Sequence, residues 1–75
     1  MSNYALIIRL REQALAKLKE STVLFEQAYE ILAEGKPKEA KKLRDAARSR
    51  RADSAWLMRE ANRLEENSGP PTKPK

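Results

Sequence analysis

The sequence contains no cysteine and no histidine. Without cysteine the chain cannot form a disulfide, and without both residues it lacks the usual ligands of zinc sites. The same absence removes the side chains that most often act as a general base or as a thiol nucleophile. We therefore expect a protein that is not an enzyme and that holds no metal and no cofactor.

Long hydrophobic segments are also absent. The first apolar run, residues 4–8, is followed at once by Arg9 and Arg11, which is not typical of a signal peptide. No apolar run approaches the roughly 20 residues that a membrane-spanning helix requires. We expect a protein without membrane contacts, located in the cytoplasm.

Glycine and proline are rare within the first two thirds of the chain, where Gly35 and Pro37 stand together near the middle. Glycine is favoured just past a helix end, and proline at the first position of a helix. A loop this short makes two helices run antiparallel. We predict an all-α antiparallel hairpin in one domain, residues 1–66, with helices at 3–34 and 37–66 and a turn at 35–36. Residues 67–75 are predicted to be a disordered tail.

The first predicted helix carries two neighbouring lines of apolar residues with helical spacing. The line with the larger side chains comprises Tyr4, Ile8, Leu15, Leu18, Phe25, Tyr29 and Leu32. The flanking line comprises Ile7, Leu10, Ala14, Leu24, Ala28 and Ile31. Together they are wider than one partner helix can cover. Because so small a hairpin is marginally stable alone, we expect it to associate with another chain.

The second helix has a seam in which small residues alternate with larger ones. It reads Ala40, Leu43, Ala47, Arg50, Ser54, Leu57, Ala61 and Leu64. The small residues should let the helices approach closely while large side chains of the first helix fill the space. Folding about the turn sets Arg50 near Ser21, and Arg11 near Glu60. These arginines either form a polar layer that fixes the register or extend past the seam to solvent.

The net charge of +5 is concentrated on the second helix. Four of its bases, spaced by three, four and three residues, share one stripe: Lys41, Arg44, Arg48 and Arg51. Such a stripe could bind an acidic protein or the phosphates of a nucleic acid. No aromatic residue interleaves with it to stack on bases, and a charged run is most often a solvated face. With Trp56, these four residues are the predicted partner-binding set.

An apolar excess at the open end of the hairpin predicts a further interface. The expected dimer residues are Leu6, Ile7, Leu10, Trp56 and Met58. Tryptophan and methionine are enriched at protein interfaces. We predict a homodimer in which two hairpins form a four-helix bundle, with an interface to a different protein as the alternative.

In its size, its hairpin layout over residues 3–66 and its lack of a catalytic site, the chain resembles small phage-encoded regulators that bind and inhibit a host protein. It is also similar in shape to the hairpin co-chaperones of type III secretion needles. The resemblance implies a regulator or adaptor that modulates another protein. A small basic nucleic-acid-binding protein and a secretion co-chaperone are the alternatives.

Overall fold

The computed structural model describes residues 3–67, which form two long helices. They are α1 (Asn3–Ala33) and α2 (Pro37–Asn67), and they pack against each other along their length. The predicted all-α hairpin is confirmed. The first helix ends one residue before its predicted end, and the second continues one residue further, through Asn67. The rest of the predicted tail, residues 68–75, lies outside the described part of the chain.

The turn is built from a helix-ending motif that needs glycine. Gly35 has a φ of 84°, a left-handed conformation that side chains with a Cβ rarely adopt. Its N–H donates to the carbonyl of Leu32, and the N–H of Lys36 donates to the carbonyl of Ile31. These two bonds define a Schellman motif. Pro37 then opens α2, where its missing N–H leaves no bond unmade.

The core is a seam of buried residues that recur every seventh position on both helices. They are Ile7, Ala14, Ser21 and Ala28 in α1, and Ala40, Ala47, Ser54 and Ala61 in α2. A strict seven-residue repeat keeps the same face toward the partner helix only if the two helices supercoil left-handedly. The hairpin is therefore a short antiparallel coiled coil.

Seven of these eight buried residues are alanine or serine, and this sets how close the helices come. The hydroxyl of Ser54 donates to the backbone carbonyl of Ala14 across the interface, at 2.8 Å. A side chain as short as serine reaches the opposite backbone only when the helices lie very close together. Ala47 and Ala61, in the same column of α2, are completely buried.

The prediction that large side chains of α1 fill the space against α2 is confirmed only in part, because Ile7 is buried and Leu10, Leu24 and Ile31 are half-buried. The line with the larger side chains, from Tyr4 to Leu32, is exposed apart from the half-buried Phe25. The flanking line faces α2 instead, with Ile7, Ala14 and Ala28 in the buried positions, and Ser21 is buried in the same column. Alanines on α2 let the two backbones come close wherever α1 also has a small residue in the seam.

Both seam arginines extend to the edge of the hairpin, as the solvent-reaching alternative predicts. Arg50 binds Glu20 at 2.9 Å. Arg11 binds Asn62 and Glu65, while its predicted neighbour Glu60 pairs with Arg63 on α2. Exposed pairs of this kind contribute about 1 kcal/mol or less. These ion pairs set which edge of α1 lies beside which edge of α2, and they contribute little to the stability of the fold.

Candidate functional site

The two flat sides of the hairpin can be told apart by their ion pairs. Because burial keeps its seven-residue spacing along both helices, residues seven apart lie on the same side. Arg11 contacts Asn62 and Glu65 on one side, which we name the Arg11 side. Glu20 contacts Arg50 on the other, which we name the Glu20 side.

The Arg11 side exposes a long row of large apolar residues on α1, which we name the apolar stripe. We call residues that lie a multiple of seven positions apart on one helix a column. Four members of the stripe share the column of Arg11, and each of the other three lies three residues before a residue of that column. The stripe consists of Tyr4, Ile8, Leu15, Leu18, Phe25, Tyr29 and Leu32. Six of the seven side chains are between 43% and 73% exposed. At 1.5 Å per residue, the stripe is about 42 Å long.

The four bases predicted to bind a partner lie on this same side, and we name them the basic stripe. Arg44 and Arg51 lie in the column of Glu65, and Lys41 and Arg48 lie in the column of Asn62. All four are exposed. Lys41 pairs with Asp45 at 3.3 Å. Within residues 3–67, the three arginines have neither a hydrogen bond nor an ion pair.

Trp56, the fifth predicted partner-binding residue, lies on the opposite side. It lines an open groove together with Gln13, Lys17 and Asp53. Gln13 is seven residues before Glu20, which places the groove on the Glu20 side. The predicted partner-binding set is therefore divided, with the basic stripe on one side and the 53% exposed Trp56 on the other.

The five predicted dimer residues do not form one surface. Ile7 is only 5% exposed and Leu10 is half-buried, because both face α2. They are therefore not available to a second chain. Leu6 lies in the column of Gln13, on the Glu20 side with Trp56. Met58 lies between Arg51 and Glu65 in their column, on the Arg11 side.

The surface that sequence reasoning missed is the pairing of the apolar stripe with the basic stripe. The spacing of the apolar residues does not show which of the two apolar lines of α1 faces α2. The signal that identifies the buried line is the seven-residue spacing of Ala14, Ser21 and Ala28, which matches that of the small residues on α2. Two such columns are expected to face each other, which leaves the larger line outside.

Between residues 3 and 67, no group of three or more acidic, histidine or cysteine side chains is arranged to hold a metal ion. Neither described helix combines the length and apolar character that crossing a membrane requires.

Comparison with known proteins identifies no relative of this chain. No protein-family model, no curated protein and no solved structure matches it. A functional hypothesis therefore depends on the chemistry of the two exposed sides.

Proposed function

We propose that the protein is a non-enzymatic adaptor or regulator that binds another protein through the Arg11 side of its hairpin. The observation that supports this most is the exposed apolar stripe. With about 200 Å² for each large side chain, its exposed area is on the order of 600 Å². That is at the upper end of the patches found on monomers and near the roughly 800 Å² that each partner contributes to a stable interface.

The residue types along this side also suit a binding surface. Tyrosine and arginine are enriched among the residues that dominate binding energy. Tyr4 and Tyr29 are the most exposed of the large hydrophobic side chains, and Arg44, Arg48 and Arg51 lie beside the stripe. A protein with such a surface acts by occupying part of its partner. The simplest consequence is inhibition of the partner by competition for that part.

Capture from an extract of the source cell tests this proposal. The immobilised parent should retain a specific protein, and Leu15→Asp should weaken that binding at least tenfold because it places a charge within the stripe. Val23→Asp is the matched control. Val23 is 50% exposed, comparable to the 57% of Leu15, but lines a groove on the Glu20 side. If the parent retains no protein, or if Leu15→Asp binds as well as Val23→Asp, the proposal is wrong.

Self-association is the second part of the proposal, and we place it on the Glu20 side, where Trp56 and Leu6 are exposed. Sedimentation equilibrium at micromolar concentration should show a dimer for the parent and an 8.6 kDa monomer for Trp56→Ala. Met58→Ala changes an exposed side chain on the other side and should remain dimeric. A monomeric parent, or a monomeric Met58→Ala with a dimeric Trp56→Ala, would contradict this placement.

Nucleic-acid binding is the second candidate function, because the basic stripe is exposed and linear. Neutralising about four phosphates gives an affinity that falls steeply with salt. We expect no stable complex with duplex DNA in a gel shift at roughly 200 mM salt. Tight binding at low salt that decreases steeply with salt, and that is lost when Lys41, Arg44, Arg48 and Arg51 are all changed to Gln, would favour this candidate instead. Glutamine preserves helix propensity, so circular dichroism should show an unchanged fold.

A further inference from the structure

The apolar stripe has chemically different borders. Toward α2 it is bordered by the basic stripe. On its other border, Glu12 and Lys19 share a surface with Leu15 and Leu18. Glu26, seven residues after Lys19 and also exposed, continues that border. Across the Arg11 side the order is therefore four positive charges, a wide apolar stripe interrupted by Arg11 and Thr22, and a border with two acids and one base.

A second copy stacked face to face on this side, with both of its helices in contact, would cover it poorly. If α2 lay over α2, the four bases would find no acid in the opposing columns except Glu65, which Arg11 already binds. If α1 lay over α2, the apolar stripe would cover the basic stripe of the other copy. Either arrangement brings positive charges into an interface without partners, which costs several kcal/mol when a charge is fully buried.

A surface of phosphates also fits only part of this side. A nucleic acid or an anionic membrane would attract the basic stripe but would repel Glu12 and Glu26 along the other border. A nucleic-acid backbone would in addition leave the apolar stripe in contact with water. An occupant that fits this side is apolar along the face that covers the apolar stripe and acidic along the flank that meets the basic stripe.

We propose that the Arg11 side receives one amphipathic helix of the partner protein, with acidic residues along the flank that faces α2. This deepens the proposed function and rests on it. A helix of about 28 residues matches the stripe in length, and its apolar residues at positions i, i+3, i+4 and i+7 pack along the stripe. The basic stripe spans about 15 Å, so acids spaced three or four residues apart over three turns lie opposite its four charges.

Synthetic helices provide the test. The probe is a peptide of about 28 residues with leucines at coiled-coil spacing, glutamates along one flank and glutamines elsewhere. Its control carries lysine in place of each glutamate. Both are titrated into the full chain by calorimetry at roughly 100 mM salt, below the concentration at which the peptides self-associate. The glutamate peptide should bind at least tenfold more tightly than the lysine peptide.

Two variants with equal net charge locate the effect. Changing Lys41, Arg44, Arg48 and Arg51 to Gln should weaken binding of the glutamate peptide at least tenfold. The control variant changes Lys38, Lys42, Arg59 and Arg63 to Gln, which removes as many positive charges from other columns of α2. It should bind within about threefold of the parent, because exposed charges away from the contact are screened by salt.

Each contrary outcome has its own meaning. The proposal of an acidic partner helix is overturned if the two peptides bind equally or if the glutamate peptide does not bind. It is also overturned if the two variants lose equal affinity for the glutamate peptide. Tighter binding of a DNA duplex or of anionic vesicles than of the glutamate peptide also overturns it. None of these results removes the proposed function if the parent still captures a cellular protein that Leu15→Asp does not.

Discussion

Replacing Ala47 with Leu should largely unfold the hairpin. Ala47 is 0% exposed, in the middle of a seam of small residues that brings the two backbones close together. Extra methylenes in a packed core typically cost about 1–3 kcal/mol. Here the helices must also separate, which strains the bond from Ser54 to Ala14 one heptad away. A core this small rarely supplies more than about 3–5 kcal/mol in all.

The matched control for this substitution is Ala52→Leu, on the same helix. Ala52 is exposed, so the same chemical change meets no opposing backbone. Thermal denaturation followed by circular dichroism should show a melting temperature near that of the parent for Ala52→Leu and little cooperative melting for Ala47→Leu. Equal melting temperatures would mean that the helices are not held closely at Ala47.

The second large effect is expected at two consecutive isoleucines. Ile7 is 5% exposed and is the one large side chain in the buried seam, whereas Ile8 is 45% exposed in the apolar stripe. Ile7→Asp buries a charge without a partner, which costs several kcal/mol. That is comparable to the whole stability of so small a fold. Ile8→Asp leaves the charge in water, so the hairpin should stay folded while partner binding weakens.

Because the two variants have the same composition and net charge, only the position of the new carboxylate differs. Urea unfolding followed by circular dichroism measures both. Ile7→Asp should have lost most of its helix before urea is added, and Ile8→Asp should have a transition close to that of the parent. A stable Ile7→Asp with an unfolded Ile8→Asp would show that the larger apolar line, after all, faces α2.

The turn and the seam of α2 could be predicted from the sequence because few alternatives compete there. Gly35 and Pro37 have strong positional preferences at helix ends. Apart from Trp56, Met58 and three alanines, the apolar residues of α2 form a single narrow column pair, and the rest of the helix is largely charged. Only the face with this column pair can be buried without removing many charges from water. The sequence pattern of α2 therefore identifies its buried face without reference to α1.

The seam of α1 could not be chosen by periodicity alone, since that helix has two apolar lines with the same spacing. Spacing does not distinguish the line that contains Phe25 and Tyr29 from the line that contains Ala14 and Ala28. Packing favours the second line, because small residues on both helices allow closer contact than small residues on one. The predicted contacts of Trp56 and Ile7 were misplaced for the same reason: the side on which a residue lies depends on which line faces α2.

The stripe of bases was predicted from its spacing, but its position beside the apolar stripe was not. That relation involves residues on different helices, and it follows only once the orientation of each helix about its axis is known. Arg11 supplies this information in the structure, through its contacts with Asn62 and Glu65. The surface that combines the apolar stripe and the basic stripe therefore exists only in the folded hairpin.

The single turn also determines how the hairpin forms and opens. Each contact between the helices closes a loop around Gly35, and these loops lengthen toward the open end, where Arg11 and Glu65 are 54 residues apart. Since longer loops cost more entropy to close, we expect folding to proceed from the turn outward and opening to begin at the far end. Tyr4 and Ile8 lie on that far section. A partner that binds the whole apolar stripe therefore also keeps the last turns of the hairpin closed, so occupancy and resistance to unfolding rise together.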